Sequence, residues 1–425
     1  MKQIKILRSG CQVSYKEILH ISNRYIIYAS TLAIYVLNSK TFVLEKVFGV
    51  TDKQICSIAV SPIDPNLLAV SSINGVVTIW KIDDETLEKQ FNTLMPGSNI
   101  TFLWDPHTPE YGSILVAGNK GFRLLYWNTS IGTAQEQLKI GNDKVLASIG
   151  KYNPHLPGII AVGFNNGGIC LFYTIDKAQK QQLLQVNGRN APVVDLQWDK
   201  LSSIYLLVAY DTFISLWDTE SKTEIHIFET QTTKITSISW MDWTAGNFIS
   251  TNSMTGIVKV WNVSQKTPIQ SIRVAQTGIT NSCFGTNDHR LLVSGNDGSV
   301  VVYHIDKKYI EYETQAGHTE TIFDACLSPL SADIVATCSY DSTIKVWNLQ
   351  NLNLNKSLIG TGLIYSLDWS PDAKYIIGAT SNGVCILWDV ETGRELGMQQ
   401  TNNYTSNIIH IQKVNICIIQ SLFIV

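Results

Sequence analysis

The stretch GHTETIFDACLSPLSADIVATCSYDSTIKVWN, Gly317 to Asn348, decides how the rest of the chain reads. It holds an alternating run from Ile322 to Pro329, and period-two alternation marks a half-buried strand. A second apolar run, DIVATCS, follows, then a turn at Asp341, then the β-branched run IKVW closing on Trp347. Outward from here the closing run recurs: LAIY at Tyr35, VTIW at Trp80, RLLYW at Trp127, CLFY at Tyr173, ISLW at Trp217, VKVW at Trp261, VVVY at Tyr303 and CILW at Trp388. The nine aromatics are separated by 45, 47, 46, 44, 44, 42, 44 and 41 residues. That regularity defines an internal repeat.

The alternating run recurs too, as ICSIAVSP from Ile55, ITFLWDP from Ile100, VVDLQWD from Val193, ITSISWMD from Ile235 and IYSLDWSP from Ile364. A polar link and a further run, such as TFVLEKVF or TEIHIFET, follow each aromatic. Each unit therefore reads as four short strands. Asn74-Gly75, Asn166-Gly167, Asp211, Asp297-Gly298, Asp341 and Asn382-Gly383 precede the third strand. Asn, Asp and Gly are the residues a tight hairpin with positive φ requires. Long stretches with helical spacing are missing. Four strands per unit of this length predict an all-β propeller. One four-stranded sheet cannot bury both its faces, whereas sheets stacked around a channel can.

The units from Tyr35 to Tyr303 predict a seven-bladed ring over 1–315, with the opening strand Ile4 to Leu7 completing the last blade. The units ending at Trp347 and Trp388, over 316–400, would start a second, incomplete propeller, and 401–425 would be an irregular tail. A single open ring, or one of eight or nine blades, is the alternative.

Composition narrows the function. The 425 residues are 45% apolar and only 16% charged, which excludes wholesale disorder. A net charge of −3 gives no bulk basic field for nucleic acid. The eight Cys stand singly, without a CxxC pair, and indicate a reducing, intracellular and cytoplasmic setting. The N-terminus lacks the apolar core of a signal peptide. The apolar tail Val414 to Val425 is too short for a spanning helix of about 20 residues. A peripheral membrane contact is the most it could make.

These residues resemble WD40 repeats. In the unit Gly317 to Asn348 the Gly-His pair, the Asp six residues before the Trp and the closing aromatic all match. The resemblance implies a structural tetrad of His318, Thr337, Asp341 and Trp347, each buried polar group meeting a partner. The other units depart from that pattern, and no tetrad is carried over to them. Arg two residues after Trp-Asp marks family members that dock on a ubiquitin-ligase adaptor. Glu220 and Glu391 stand there instead, which argues against that role. The stretches ASTLAIYVLN, GHTETIFDACLSP and GLIYSLDWSPDAKYIIGATSNGVCILWDV are similar to one animal branch of the family, whose members are longer and continue with further repeats. After Thr401 the run TSNIIHIQ starts like another first strand and breaks off in a segment fitting no repeat position. A truncated or misassembled gene model is the expected reason, with a genuine short isoform as the alternative.

No phosphate-binding loop, nucleophile elbow or metal-ligand spacing occurs, so no enzyme, cofactor or metal is expected. Asp83-Asp84 with Glu85, Lys177 to Lys180, and Lys307-Lys308 read as solvated links. The leading expectation is a non-catalytic protein-interaction scaffold. A nucleic-acid or chromatin-associated reader, or a subunit of a ciliary or vesicle transport assembly, is the alternative; a small-molecule substrate is not expected. Within the resemblance, the residues flanking the first apolar position of each innermost strand look outward at the top face. Alternation gives Gln54 and Cys56, Asn99 and Thr101, Lys144 and Leu146, Pro192 and Val194, Lys234 and Thr236, Gly278 and Thr280. The two last units add Thr321 and Phe323, then Leu363 and Tyr365. So mixed a ring suits a peptide or protein loop better than a phosphate backbone.

Overall fold

A computed structural model of the chain describes residues 8–400 apart from 93–98, 109–110, 119–120, 129–132, 141–146, 174–180, 185–190, 230–233, 286–287 and 315–316. For Asn99 and the strands within 111–140 and 181–184 only the backbone is described. The described strands form nine four-stranded antiparallel sheets, each built from four consecutive strands. They fall into two compact units. Among the described residues, no helix is long and apolar enough to cross a membrane.

The larger unit, Cys11–Thr314, holds seven sheets. Their first strands are Leu19–Ile21, Ile55–Val60, Asn99–Trp104, Ala147–Tyr152, Val193–Trp198, Ile235–Trp240 and Ile279–Phe284. Each packs against the next, and the seventh packs back against the first. The seven sheets therefore surround a central channel. Closure rests on one buried cluster in which Ile18, Ile21 and Ile26 meet Leu292, Val300 and Val302. The strand Ile4 to Leu7 lies outside the described residues. The outer place in the seventh sheet is held by Tyr309–Glu313, from that sheet's own run.

Where their side chains are described, the second strands of the larger unit are buried on both faces and the third strands largely so, as Tyr25–Ala29 and Leu206 to Tyr210 show. Their apolar runs are continuous because a neighbouring sheet covers each side. At one such seam Leu207, Ala209, Ile214, Leu216 and Phe228 of the fifth sheet face Ile235, Ile238, Trp240 and Phe248 of the sixth. Burying a side chain of this kind stabilises by roughly 1.5–3 kcal/mol, so the seams carry the fold. The fourth strand alternates with solvent, as in Thr86–Asn92.

Polar pins cross the seams. Trp104 Nε1 donates to the Ala59 carbonyl at 2.8 Å, Trp198 to Lys151 at 3.0 Å and Trp240 to Gln197 at 3.1 Å. Each ties the end of a first strand to the preceding sheet. The Asn-Gly and Asp-Gly turns behave as the sequence predicts: Gly75, Gly167, Gly298 and Gly383 have φ of 86°, 83°, 77° and 76°.

The smaller unit joins Arg8–Gly10 to the described residues beyond 316. Gly10 N donates to the His318 carbonyl at 2.8 Å, and a Cβ on Gly317 would lie 2.3 Å from Gly10 N. Only glycine fits at 317. Two sheets start at Ile322–Ser328 and Ile364–Trp369. Ala336, Cys338, Ile344 and Val346 of one pack on Ile364, Leu367, Trp369 and Trp388 of the other. Trp369 Nε1 reaches the Cys326 carbonyl at 3.1 Å, the same pin again. The sequence rule places Ile322 between blades, yet Ile322 and Leu327 are exposed, whereas Val193 and Trp198 at the same positions of the fifth sheet are buried. No sheet among the described residues covers that face.

Candidate functional site

His318, Thr337, Asp341 and Trp347 come together inside the smaller unit. His318 Nδ1 is hydrogen-bonded to Asp341 Oδ2 at 2.9 Å, and His318 Nε2 to the Thr337 hydroxyl at 2.7 Å. Trp347 Nε1 donates to Thr337 Oγ1 at 2.9 Å. Burial by itself would raise the Asp341 carboxyl, but the His318 hydrogen bond and charge, with the Thr343 hydroxyl, hold it below its ordinary value. The chain of bonds satisfies every member, and nothing in it faces solvent as a reactive group would. Other sheets keep fragments of it: Trp261 Nε1 donates to Ser250 Oγ at 2.9 Å, and Trp217 Nε1 to Ser215 Oγ at 2.8 Å.

The top mouth of the channel is shaped by a recurring irregularity. In seven sheets the ladder between first and second strand shifts register just after the first residue, for example between Ile55 and Ser57, Val193 and Asp195, and Ile235 and Ser237. One residue is left out of the ladder, and such a bulge re-aims its side chain. The left-out residues are Cys56, Ser148, Val194, Thr236, Thr280, Phe323 and Tyr365. The alternation argument named six of them, but the physical cause is the bulge.

Ser148 is the one it missed. The fourth sheet's first strand is Ala147–Tyr152, two residues later than a start at Val145. Counting back five residues from Tyr152, the aromatic that ends this first strand, as Val193 stands to Trp198, would have found Ala147. Lys144 and Leu146 lie outside the described residues, as does the side chain of Asn99.

A cavity of about 400 Å³ opens at this mouth, and Cys56, Thr101, Pro192, Val194, Lys234 and Thr236 line it together with Ser148. Gln54, Gly278 and Thr280 do not. Gly278 is buried, and a Cβ there would lie 2.0 Å from the Ser253 carbonyl, so it serves packing. The Thr280 hydroxyl is taken by Ser294 at 2.8 Å. In the smaller unit the Phe323 ring is tilted against Tyr365 at 4.8 Å and Tyr340 at 6.1 Å, while Thr321 is exposed and Leu363 half-buried.

The floor of the cavity is the chain's own segment Ser14–Glu17, which the sequence did not single out. Lys16 Nζ crosses the channel to donate to the Val194 and Thr236 carbonyls, both at 2.8 Å. Glu17 accepts from Lys151 at 2.7 Å, and its carbonyl accepts from Ile58 N at 2.7 Å. Beside them Asp195 accepts from Ile238 N at 2.8 Å. Burial pushes the Asp195 carboxyl up to about 6, with Lys16 and Lys151 opposing and Glu17 adding. Burial likewise pushes the Lys16 ammonium down, against Asp195 and Glu17. The segment thus lies across the bore, with one cavity on its top side and another on its bottom side.

A pH dependence follows from Asp195. Its unfolded value is near 3.8 and its folded value about 6, so between them the native state binds the extra proton. This group's contribution to stability therefore falls as pH rises from about 4 to about 6 and is level above. Subtracting the melting profile of Asp195→Asn from wild type should expose that decline, and parallel profiles would exclude it.

Stacked four-stranded sheets of consecutive strands around a channel define a β-propeller repeat protein. Comparison with known proteins makes it more particular. Residues 311–348 and 353–389 match the family model described as WD domain, G-beta repeat, and residues 151–244 match the anaphase-promoting complex subunit 4 WD40 domain. By these matches the chain is similar to WD40-repeat proteins. It is 26% identical over 323 residues to a WD repeat-containing protein 26 homolog of Arabidopsis thaliana, covering 75% of this chain and 50% of that protein. It is 22% identical over 293 residues to protein transport protein SEC31 of Chaetomium globosum, covering 65% and 23%. A chain in a crystal structure of a mitotic checkpoint complex superposes with a TM-score of 0.59 at 16% identity, covering 72% of this chain and 98% of that one. The chain spans half the length or less of these curated relatives.

Proposed function

We propose that this protein is a non-catalytic, cytoplasmic interaction scaffold that receives a peptide segment or loop of a partner at the top mouth of its larger unit. The observation that carries this is the cavity of about 400 Å³ lined in part by side chains left out of the sheet ladders. Its wall is mixed: Val194 and Pro192 offer apolar surface, Thr101 and Thr236 hydroxyls, and Lys234 a single exposed cation beside Asp211. Peptide recognition uses such a mixture, whereas a phosphate backbone calls for many cations. Residues 316–400 are read as the start of a second propeller. The three stretches noted above resemble WD repeat-containing protein seventeen of animals, which favours a role as one subunit of a larger assembly. Relatives whose names refer to transport and to a checkpoint complex point the same way.

The test is Thr101→Arg combined with Lys234→Glu in protein shown to be folded. Affinity purification with mass spectrometry should lose the principal partners of wild type. An unchanged partner profile would remove the top mouth as the main contact surface.

A further inference from the structure

We propose that the bottom mouth of the larger unit, across its second to fourth sheets, is a separate docking site that takes one large apolar side chain from an extended segment of a partner protein. A cavity of about 300 Å³ opens there, walled by Val60, Pro62, Phe102, Pro106, Tyr152 and Pro154. That size is at the lower end of ligand pockets, roughly 300–1,000 Å³, and suits a single anchoring side chain.

The three prolines come from the equivalent loop of three successive sheets, each just after the first strand. Proline has no N–H, and the loops turn their other donors inward. Asp64 N donates to Ser61 Oγ at 3.2 Å, His107 N to Asp105 Oδ1 at 2.9 Å, and His155 N and Leu156 N to Asn153 Oδ1 at 2.8 and 2.9 Å. The rim is therefore apolar and already ordered, so docking loses little conformational freedom.

The floor decides the chemistry of the anchor. It is made by Glu17, Lys151 and His20. Glu17 and Lys151 neutralise one another at 2.7 Å, and burial pushes His20 down to about 4, leaving it uncharged at neutral pH. An incoming charge would lose its water and find a pair already matched, which costs more than an apolar group that strips only the remaining hydration of that pair. Outside the rim the same loops expose Ile63 and Leu156, at 48% and 40%, and the fifth sheet's loop exposes Leu201 at 53%. Ile63 and Leu156 stand one and two residues after rim prolines, so they add apolar surface to the loops that form the rim. This site shares no rim residue with the top mouth and stands whether or not that mouth binds a partner.

Selection of displayed random peptides on the full chain tests it, with the double variant Ile63→Glu and Leu156→Glu as counter-target. Both side chains are exposed, so the variant should fold, which its melting curve verifies. Selected peptides should share one large apolar residue and bind the double variant at least tenfold more weakly, with Lys234→Glu leaving their affinity unchanged. Peptides that bind the double variant as well as wild type, peptides sensitive only to Lys234→Glu, or a selection yielding none that discriminates would overturn the proposal.

Discussion

Replacing Trp347 by Ala should lower the stability of the smaller unit by about 3–5 kcal/mol. Two effects add. The indole is buried against the tetrad, so its removal leaves a void that a two-sheet unit can collapse around only in part. The Thr337 hydroxyl also loses the indole N–H donor at 2.9 Å while staying buried. Asp341→Ala should be milder, roughly 1–3 kcal/mol, since it removes hydrogen bonds rather than volume. Because the folded state holds the Asp341 carboxyl below its ordinary value, its stabilisation is present above pH 3.8 and is lost as pH falls further. Amide exchange in Ser331–Ser339 and Thr343–Asn348 reads the effect locally. If both variants exchange like wild type, the tetrad does not hold this sheet.

Trp240→Ala should have a comparable effect in the larger unit, again about 3–5 kcal/mol. Trp240 lies in the seam between the fifth and sixth sheets, edge-on to Phe248 at 5.7 Å, with its N–H on the Gln197 carbonyl. Trp240→Phe separates the terms. It keeps most of the packing and loses only the donor, so it should cost about 1–2 kcal/mol. Denaturant titration distinguishes the two, and equal losses for Ala and Phe would mean that the hydrogen bond, not the volume, dominates the seam.

Much of this was legible in the residues. The spacing of the closing aromatics, from Tyr35 to Trp388, followed from strand length and turn chemistry, both local properties. The glycine turns were legible because positive φ leaves few residue choices. What stayed hidden depended on contacts distant in sequence. Trp104 and Trp198 read as ends of an alternating run, but their partners lie 45 and 47 residues earlier in another sheet. Lys16 stands in no motif; only ring closure sets it opposite Val194 and Thr236. The bulges were hidden for a different reason. A one-residue slip such as that at Ala147 leaves composition and period almost unchanged, so alternation placed the first strand of the fourth sheet two residues early.

The pairing of Gly10 with His318 has a consequence for synthesis. The larger unit, Cys11–Thr314, is wholly contained between the two pieces of the smaller one. A ribosome adding about 5–20 residues per second needs roughly 15–60 s to travel from residue 10 to residue 318. During that interval all seven sheets of the larger unit can emerge in order and close on themselves, while Arg8–Gly10 has no partner yet made. The order of assembly is thereby written into the order of translation: the ring is finished first, and the flanking strand ends are joined last.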